Sequence, residues 1–140
     1  MKLRAMIILV FFGLFSSAYA ENPKISLLTK VYQEVYEKKD ITQMDKFFSK
    51  KLSFQVNFND PVDYASLEAH LIKINQECVS LKMLPFEKVL VTGNEVITLY
   101  TQSCIDKFNH IHKKRIMAIT EIDENNQVAK IAAVTNSNDR

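Results

Sequence analysis

The sequence predicts an α+β fold, in which a long N-terminal helix and two shorter helices pack on a curved antiparallel sheet. Three observations support this prediction. Apolar residues recur at steps of three and four in two segments, which indicates amphipathic helices. The segment LSFQVNF alternates apolar and polar residues, which is typical of a strand with one buried face. The C-terminal half then carries strand-like segments separated by turn signals.

Capping residues and apolar faces place the helices. Asn22 and Pro23 predict the start of the long helix, as a capping side chain followed by proline at the first helical position. Asp40 is predicted to cap a second, short helix and Asp63 a third one. The apolar face of the long helix consists of Leu28, Val31, Tyr32, Val35 and Tyr36, and that of the third helix of Tyr64, Leu67, Leu71, Ile74 and Cys78. Each face is expected to pack on the sheet.

Five strands are predicted, one before the third helix and four after it. The first covers residues 52–58, with its apolar side chains as far as Phe58 on one face. Gly93 and Asn94 supply a tight hairpin turn between two of the others. The last four strands cover about residues 80–92, 95–106, 111–123 and 128–135. Their short connections predict an antiparallel meander.

The first twenty residues are predicted to be a signal peptide that is cleaved from the chain. Lys2 and Arg4 give a basic start, an apolar run follows from Ala5 to Phe15, and Ala18-Tyr-Ala20 gives the small-x-small pattern before a cleavage site. The run is shorter than the roughly 20 residues that span a bilayer, although an uncleaved membrane anchor is the alternative. We therefore expect a periplasmic or secreted protein with one domain, residues 21–140.

Charge and glycine content exclude several function classes. Without Lys2 and Arg4 the chain has sixteen basic and sixteen acidic side chains, so we expect no binding to nucleic acid, and none to a membrane after cleavage. Gly93 is the only glycine beyond the predicted leader. Dinucleotide-binding and phosphate-binding loops need several glycines for close backbone approach, so we also expect no cofactor.

The order of elements resembles that of the nuclear transport factor 2-like superfamily, which includes SnoaL-like cyclases and ketosteroid isomerases. The segments that carry the resemblance are VYQEVYEKKDITQMDKFF, the capped helix DYASLEAHL and the closing ITEIDENNQVAKIAAV. The resemblance implies a cystatin-like cone, with a bent sheet wrapped around the long helix and a pocket between them. It also implies frequent dimers through the outer face of the sheet.

The resemblance further implies positions for catalytic groups. In the isomerases a tyrosine on the first helix donates a hydrogen bond to an oxyanion, eight residues before the aspartate that closes the helix, and Tyr32 holds this place relative to Asp40. The isomerase-type base falls at Val56, and a four-residue shift is needed to bring Asp60 there. The second acid falls at Ala118. Because neither acid is in place, the sequence leans against an enzyme.

Three hypotheses for function follow. The first is a domain that binds a small apolar molecule in its cone, with a lining that includes Tyr32, Phe54, Tyr64, Tyr100 and His112. The second is a protein-interaction module with a filled cone, which acts through its sheet face. The third is a lyase or isomerase that uses Tyr32 with Asp60. A large apolar cavity would favour the first or the third, and a filled cone the second.

His110 and His112 are candidate metal ligands. His110 and His112 are two residues apart on a predicted strand, so they face the same side at about 7 Å. His70 or Asp106 would be needed to complete a site. Without a fixed third ligand, the sequence favours solvated histidines at a strand end, and we predict no metal.

Cys104 lies in the predicted strand 95–106, and Cys78 precedes the strand 80–92 that is expected to pair with it. If Gly93 and Asn94 form the turn, Cys104 lies opposite Met83, and Cys78 is then about 16 Å further along the strand. That separation exceeds the roughly 7 Å limit for bridged Cα atoms. Register therefore argues against a disulfide, unless Pro85 bulges the strand and moves the register.

The segment RIMAIT predicts apolar side chains on both faces of one strand. Ile116 and Ala118 face one way, and Met117 and Ile119 face the other. Helices on one side of the sheet would leave the second face exposed in a monomer. We therefore expect a homodimer that buries the outer face of the sheet.

Overall fold

The computed structural model describes residues 22–136, and the predicted signal peptide, residues 1–20, lies outside the described residues. The helices are α1 (Pro23–Val31), which continues as a π-helical segment (Tyr32–Glu37), a 3₁₀ turn (Ile41–Gln43), α2 (Met44–Phe47) and α3 (Tyr64–Glu77). The strands are β1 (Phe48–Val56), β2 (Cys78–Met83), β3 (Lys88–Thr92), β4 (Glu95–Asp106), β5 (Ile111–Ile122) and β6 (Val128–Asn136). None of the described helices is both long and apolar enough to cross a membrane.

The predicted helix caps are confirmed. The Asn22 side chain accepts a hydrogen bond from the N–H of Lys24 at 3.1 Å, with Pro23 at the first helical position. Asp40 accepts one from Thr42 at 3.1 Å, at the start of the 3₁₀ turn that leads into α2. Asp63 caps α3 by accepting from the N–H of Ser66 at 2.9 Å. Local sequence signals therefore fix where the helices begin.

Hydrogen bonds connect the end of the first helical segment to the C-terminal end of α3. Lys39 has a left-handed backbone with φ of 58°, which ends the helix. Its ammonium group donates to the carbonyls of Asn75 at 3.2 Å, of Cys78 and of Val79 at 3.4 Å, where α3 ends. A cation is favourable there because the carbonyls of the last helical turn lack partners within the helix.

Strand β1 ends earlier than predicted. Asn57 and Phe58 have φ values of 52° and 61°, so the chain turns and Phe58 is 85% exposed instead of joining the buried face. The side chain of Asn57 accepts from the N–H of Thr135 at 2.8 Å, and its own N–H donates to Ala133 at 2.9 Å. These bonds to β6 replace the pairing that a longer strand would have made.

The sheet is strongly curled and mixed rather than wholly antiparallel. Its order is β1-β6-β5-β4-β2. Strand β3 pairs with the same edge of β4 as β2 does, β3 with the N-terminal half of β4 and β2 with the C-terminal half. The pairings of β4 and β5 are antiparallel as predicted, but β1 runs parallel to β6. Helix α3 carries the chain from β1 to the opposite edge, so no hairpin joins β1 to β6 and no turn forces them to be antiparallel.

The predicted strand 80–92 is divided into β2 and β3, with Pro85 between them. On the β3 side the register is as predicted, with Thr92 opposite Glu95. On the β2 side Met83 pairs with Gln102 instead of Cys104. A proline cannot donate to the ladder, so it interrupts the pairing and allows the register to move.

The changed register brings Cys78 and Cys104 close enough to form a disulfide, which an uninterrupted strand 80–92 would not allow. A second irregularity in β2 places Cys78 opposite Asp106, two residues along β4 from Cys104. The Cα atoms of Cys78 and Cys104 are 5.5 Å apart and the sulfur atoms are bonded. The expected separation of about 16 Å is therefore wrong. The alternative, in which Pro85 interrupts the strand and moves the register, is confirmed.

The helices pack on the concave face of the sheet. Val35, Leu67 and Leu71 are each at most 1% exposed. They contact a core that also contains Met44, Phe47, Phe48, Leu52, Val96, Ile122 and Val128. Burial of this apolar surface holds the helical segments over the sheet and leaves the remainder of the concave face open.

Candidate functional site

A cavity of about 900 Å³ lies between the helices and the concave face of the sheet. Its deeply buried lining is mainly apolar and includes Leu28, Val31, Phe48, Ile116, Ala118 and Val128. Its exposed lining, here called the mouth, includes Asp60, Lys73, Glu77, Lys107, Phe108 and His112. A volume of several hundred Å³ with an apolar interior is typical of small-molecule sites.

Tyrosines supply polar atoms inside this cavity. The ring of Tyr32 lies 5.2 Å from that of Tyr100 and 5.8 Å from that of Tyr36, measured between centroids. Burial raises the pKa of Tyr32 to about 12, although the hydroxyls of Tyr100 and Thr98 beside it oppose the shift. Burial also raises the pKa of Tyr36 and of Tyr100. The three phenols are therefore neutral at ordinary pH and can donate hydrogen bonds from an apolar wall.

The mouth is charged but carries both signs. Lys73 and Lys107 lie among the same lining residues as Asp60 and Glu77. His70 also lines the cavity, and its pKa is lowered by burial and then by the positive charges of nearby lysines. The cavity thus combines an apolar interior with a polar entrance, which suits a molecule with an apolar body and one polar end.

Four of the five predicted lining residues face the cavity. These are Tyr32, Phe54, Tyr100 and His112. The structure places Tyr64 elsewhere: its hydroxyl donates to Asp45 Oδ1 at 2.5 Å, and the ammonium of Lys50 lies 4.1 Å from its ring centroid. Tyr64 is the first residue of α3, where the side chain reaches across the surface to α2 instead of inward. That the other four bind a ligand stays a prediction.

The positions implied by the isomerases also face the cavity. Val56 and Ala118, where the base and the second acid would fall, both line it, and so does Asp60. The positions near Tyr32 where the two acids would fall are therefore apolar, and Asp60 is an exposed carboxylate at the mouth. The arrangement can bind and orient a molecule through a neutral hydrogen-bond donor.

Sequence reasoning missed several polar lining residues that a simple signal could have found. Gln102 of β4 faces the cavity, as do Lys114 and Thr120 of β5. In a strand every second residue faces the same side. Counting onward from the predicted lining residues Tyr100 and His112 in steps of two reaches all three.

Solved structures of similar shape confirm the fold. A protein assigned as a SnoaL-like polyketide cyclase from Jannaschia sp. CCS1 matches with a TM-score of 0.69 and 12% identity, over 83% of this chain and 87% of that one. An LEH-like epoxide hydrolase from M. tuberculosis matches with a TM-score of 0.68 and 10% identity, over 81% and 83% of the two chains. AusH from Aspergillus nidulans matches with a TM-score of 0.71 and 9% identity, over 86% and 88%.

The chain therefore has the nuclear transport factor 2-like fold, as the order of its elements predicted. The sequence itself matches no protein-family model and no curated protein. At such low identity the likeness defines a fold with a central cavity and does not transfer an activity, because related folds host unrelated chemistries.

Proposed function

We propose that this chain is an exported domain that binds a small, mainly apolar molecule in its cavity. The observation that carries the proposal is the open cavity of about 900 Å³ with a buried apolar lining. Export is supported by the leader pattern of residues 1–20. A filled cone does not fit this cavity, so the interaction module is set aside as the main function.

The arrangement of polar groups supports a ligand with a defined orientation. Tyr32 and Tyr100 offer neutral phenol donors inside the cavity, and charged groups occur at the mouth. A single oxygen acceptor deep in the ligand would bond to the phenols, while a charged or strongly polar end would remain at the mouth. A uniformly polar molecule would lose its hydration without finding partners on the apolar walls.

Filling the cavity is expected to abolish ligand binding. Ala118 is 2% exposed and lines the cavity, so an Ala118→Phe side chain would occupy space that a ligand needs. A thermal-shift screen of hydrophobic small molecules would first identify a binding compound. Its affinity for Ala118→Phe, measured by isothermal titration calorimetry, should be weaker than for the wild type by about tenfold or more, equivalent to at least about 1.4 kcal/mol.

The matched control is Ala65→Phe. Ala65 is exposed on α3, so the same added ring lies in solvent and should leave the affinity unchanged. Circular dichroism would establish that both variants are folded. Equal affinity of folded Ala118→Phe and wild type would show that binding occurs elsewhere.

The lyase or isomerase hypothesis is retained as a second candidate because Tyr32 and Asp60 line the same cavity. Tyr32→Phe separates the two functions once a binding compound is known. Loss of turnover with retained affinity would indicate chemistry at the phenol. Absence of turnover in the wild type, with binding intact, would leave the binding function alone.

We also propose that the outer face of the sheet forms a homodimer. Met117 is 51% exposed and Ile119 is 41% exposed on this face. Met117 pairs with Leu99 and Val134 on the neighbouring strands, which extends the apolar surface across β4, β5 and β6. A contiguous exposed patch of this kind is typical of a protein–protein contact.

A charge on this face should therefore separate the subunits. Ile119→Glu is expected to convert the dimer to a monomer, because a carboxylate would lose its hydration in the contact. The control is Ile72→Glu on α3, where the isoleucine is 43% exposed but lies in the helical layer. Light scattering coupled to gel filtration gives the mass of each species. A monomeric wild type, or dissociation by both variants, would contradict this assignment.

A further inference from the structure

The turn that joins β4 to β5 gathers one carboxylate and two imidazoles. Asp106 Oδ2 lies 2.8 Å from His112 Nε2 and 3.4 Å from His110 Nδ1. The ligand atoms of the three residues all lie within 4.8 Å of one another. His110 precedes the first residue of β5 and His112 is its second residue, so the turn itself brings the two rings together with Asp106.

The carboxylate is held in place by the backbone. Asp106 Oδ1 accepts hydrogen bonds from the N–H of Phe108 at 2.8 Å and of His110 at 2.9 Å, which leaves Oδ2 for the two histidines. Oδ2 is therefore turned toward both imidazoles, and a carboxylate oxygen in this position can serve as a metal ligand beside them.

The strands behind the cluster are fixed by the disulfide. Asp106 pairs with Cys78, and His112 pairs with Cys104, in adjacent strands of the sheet. The bond between the two cysteines therefore crosslinks the residues next to two of the three ligands. A group of ligands held by rigid neighbours needs little rearrangement to bind an ion.

We propose that Asp106, His110 and His112 bind a divalent transition-metal ion such as Zn²⁺. In a tetrahedral zinc site, ligand atoms about 2.0–2.1 Å from the ion lie about 3.3 Å from one another. The two distances from Asp106 Oδ2, 2.8 and 3.4 Å, lie on either side of this value. A donor set of two imidazoles and one carboxylate also favours zinc over magnesium or calcium.

This site extends the proposed function without depending on it. Asp106 and His112 line the cavity, so an ion bound there lies at the mouth. Three protein ligands leave a position for another donor, as in zinc sites that bind exchangeable molecules. An anionic or neutral oxygen at the polar end of a cavity ligand would suit that position. The prediction of no metal rests on the lack of a fixed third ligand, and Asp106 supplies one.

The test uses the metal alone. Metal-free protein, residues 21–140, is titrated with Zn²⁺ by isothermal titration calorimetry, and one ion per chain is expected. Asp106→Asn is the informative variant, because an asparagine Oδ1 can still accept the backbone hydrogen bonds of the turn while the anionic Oδ2 is lost. Asp106→Asn and His112→Ala should each weaken zinc binding by about tenfold or more.

His70→Ala is the matched control. It removes the third histidine of the chain, which also lines the cavity but is not part of the cluster, and zinc affinity should be unchanged. Co²⁺ provides a second readout, since its visible absorption reports a site of low coordination number. Absence of zinc binding, or equal loss in His70→Ala and His112→Ala, would overturn the proposal. Neither result would bear on binding of an apolar compound, which is measured without metal.

Discussion

Replacing both Cys78 and Cys104 with serine is expected to lower the free energy of unfolding by about 3 kcal/mol. The bridge joins residues 26 positions apart, so its removal allows the unfolded chain many more conformations. It also releases β2 from β4 at a place where the strand pairing is irregular. For a domain of this size the unfolding midpoint should fall by roughly 10 °C, as measured by calorimetry with a urea titration for the free energy.

Chemical reduction provides an independent comparison for this prediction. The reduced wild type should unfold at nearly the same urea concentration as the double serine variant. The variant itself should not respond to the reductant, since no other cysteine is present in the chain. If oxidised and reduced wild type unfold together, the bridge does not stabilise the fold.

Replacing Leu67 with alanine is expected to lower the free energy of unfolding by about 3 kcal/mol. Leu67 is 0% exposed and packs from α3 into the main core. Truncation removes buried apolar surface and leaves a void, because the surrounding strands cannot close over it completely. Urea titration followed by circular dichroism measures the loss.

A second residue of the same helix serves as the comparison. Ile72 is 43% exposed, and Ile72→Ala should change the free energy of unfolding by less than about 1 kcal/mol. Both substitutions remove a branched side chain from α3, so helix propensity contributes similarly to each. Equal losses would mean that α3 does not present Leu67 to the core.

Local chemistry made much of the fold predictable. Asn22, Asp40 and Asp63 each determine a helix start through a hydrogen bond to a backbone N–H within three residues. Gly93 has φ of 59°, which glycine adopts without a steric penalty, and the register next to it is as predicted. Such features depend on a few neighbouring residues, so the sequence alone specifies them.

Features that depend on distant parts of the chain were not predictable in the same way. The parallel pairing of β1 with β6 follows from where α3 carries the chain. The disulfide depends on two register changes along one edge of β4, one across Pro85 between β2 and β3 and one between Cys78 and Ser80 in β2. Tyr64 fits the apolar stripe of α3, yet its hydroxyl bonds to Asp45. Spacing along one helix cannot show which partner lies nearby.

In the candidate site, too, some features follow from the local sequence pattern and others depend on the three-dimensional arrangement of the chain. Alternation along β4 and β5 correctly groups Tyr100 with Gln102, and His112 with Lys114, on the cavity side. The joining of Asp106 to His110 and His112 is different, since it depends on the conformation of the turn between the strands. A sequence pattern can indicate that such residues are close, but only the turn geometry decides whether their ligand atoms converge.

The hydrogen bond from the Lys24 side chain to the Gly93 carbonyl determines where the chain could be attached to a support. It places the start of α1 beside the hairpin at Glu95, whereas the mouth lies near Asp106 at the other end of β4. Twelve extended residues separate the two ends by up to about 37 Å. An affinity tag or surface linker added before Asn22 would therefore leave the entrance unobstructed, and immobilised protein should capture ligands as well as free protein does.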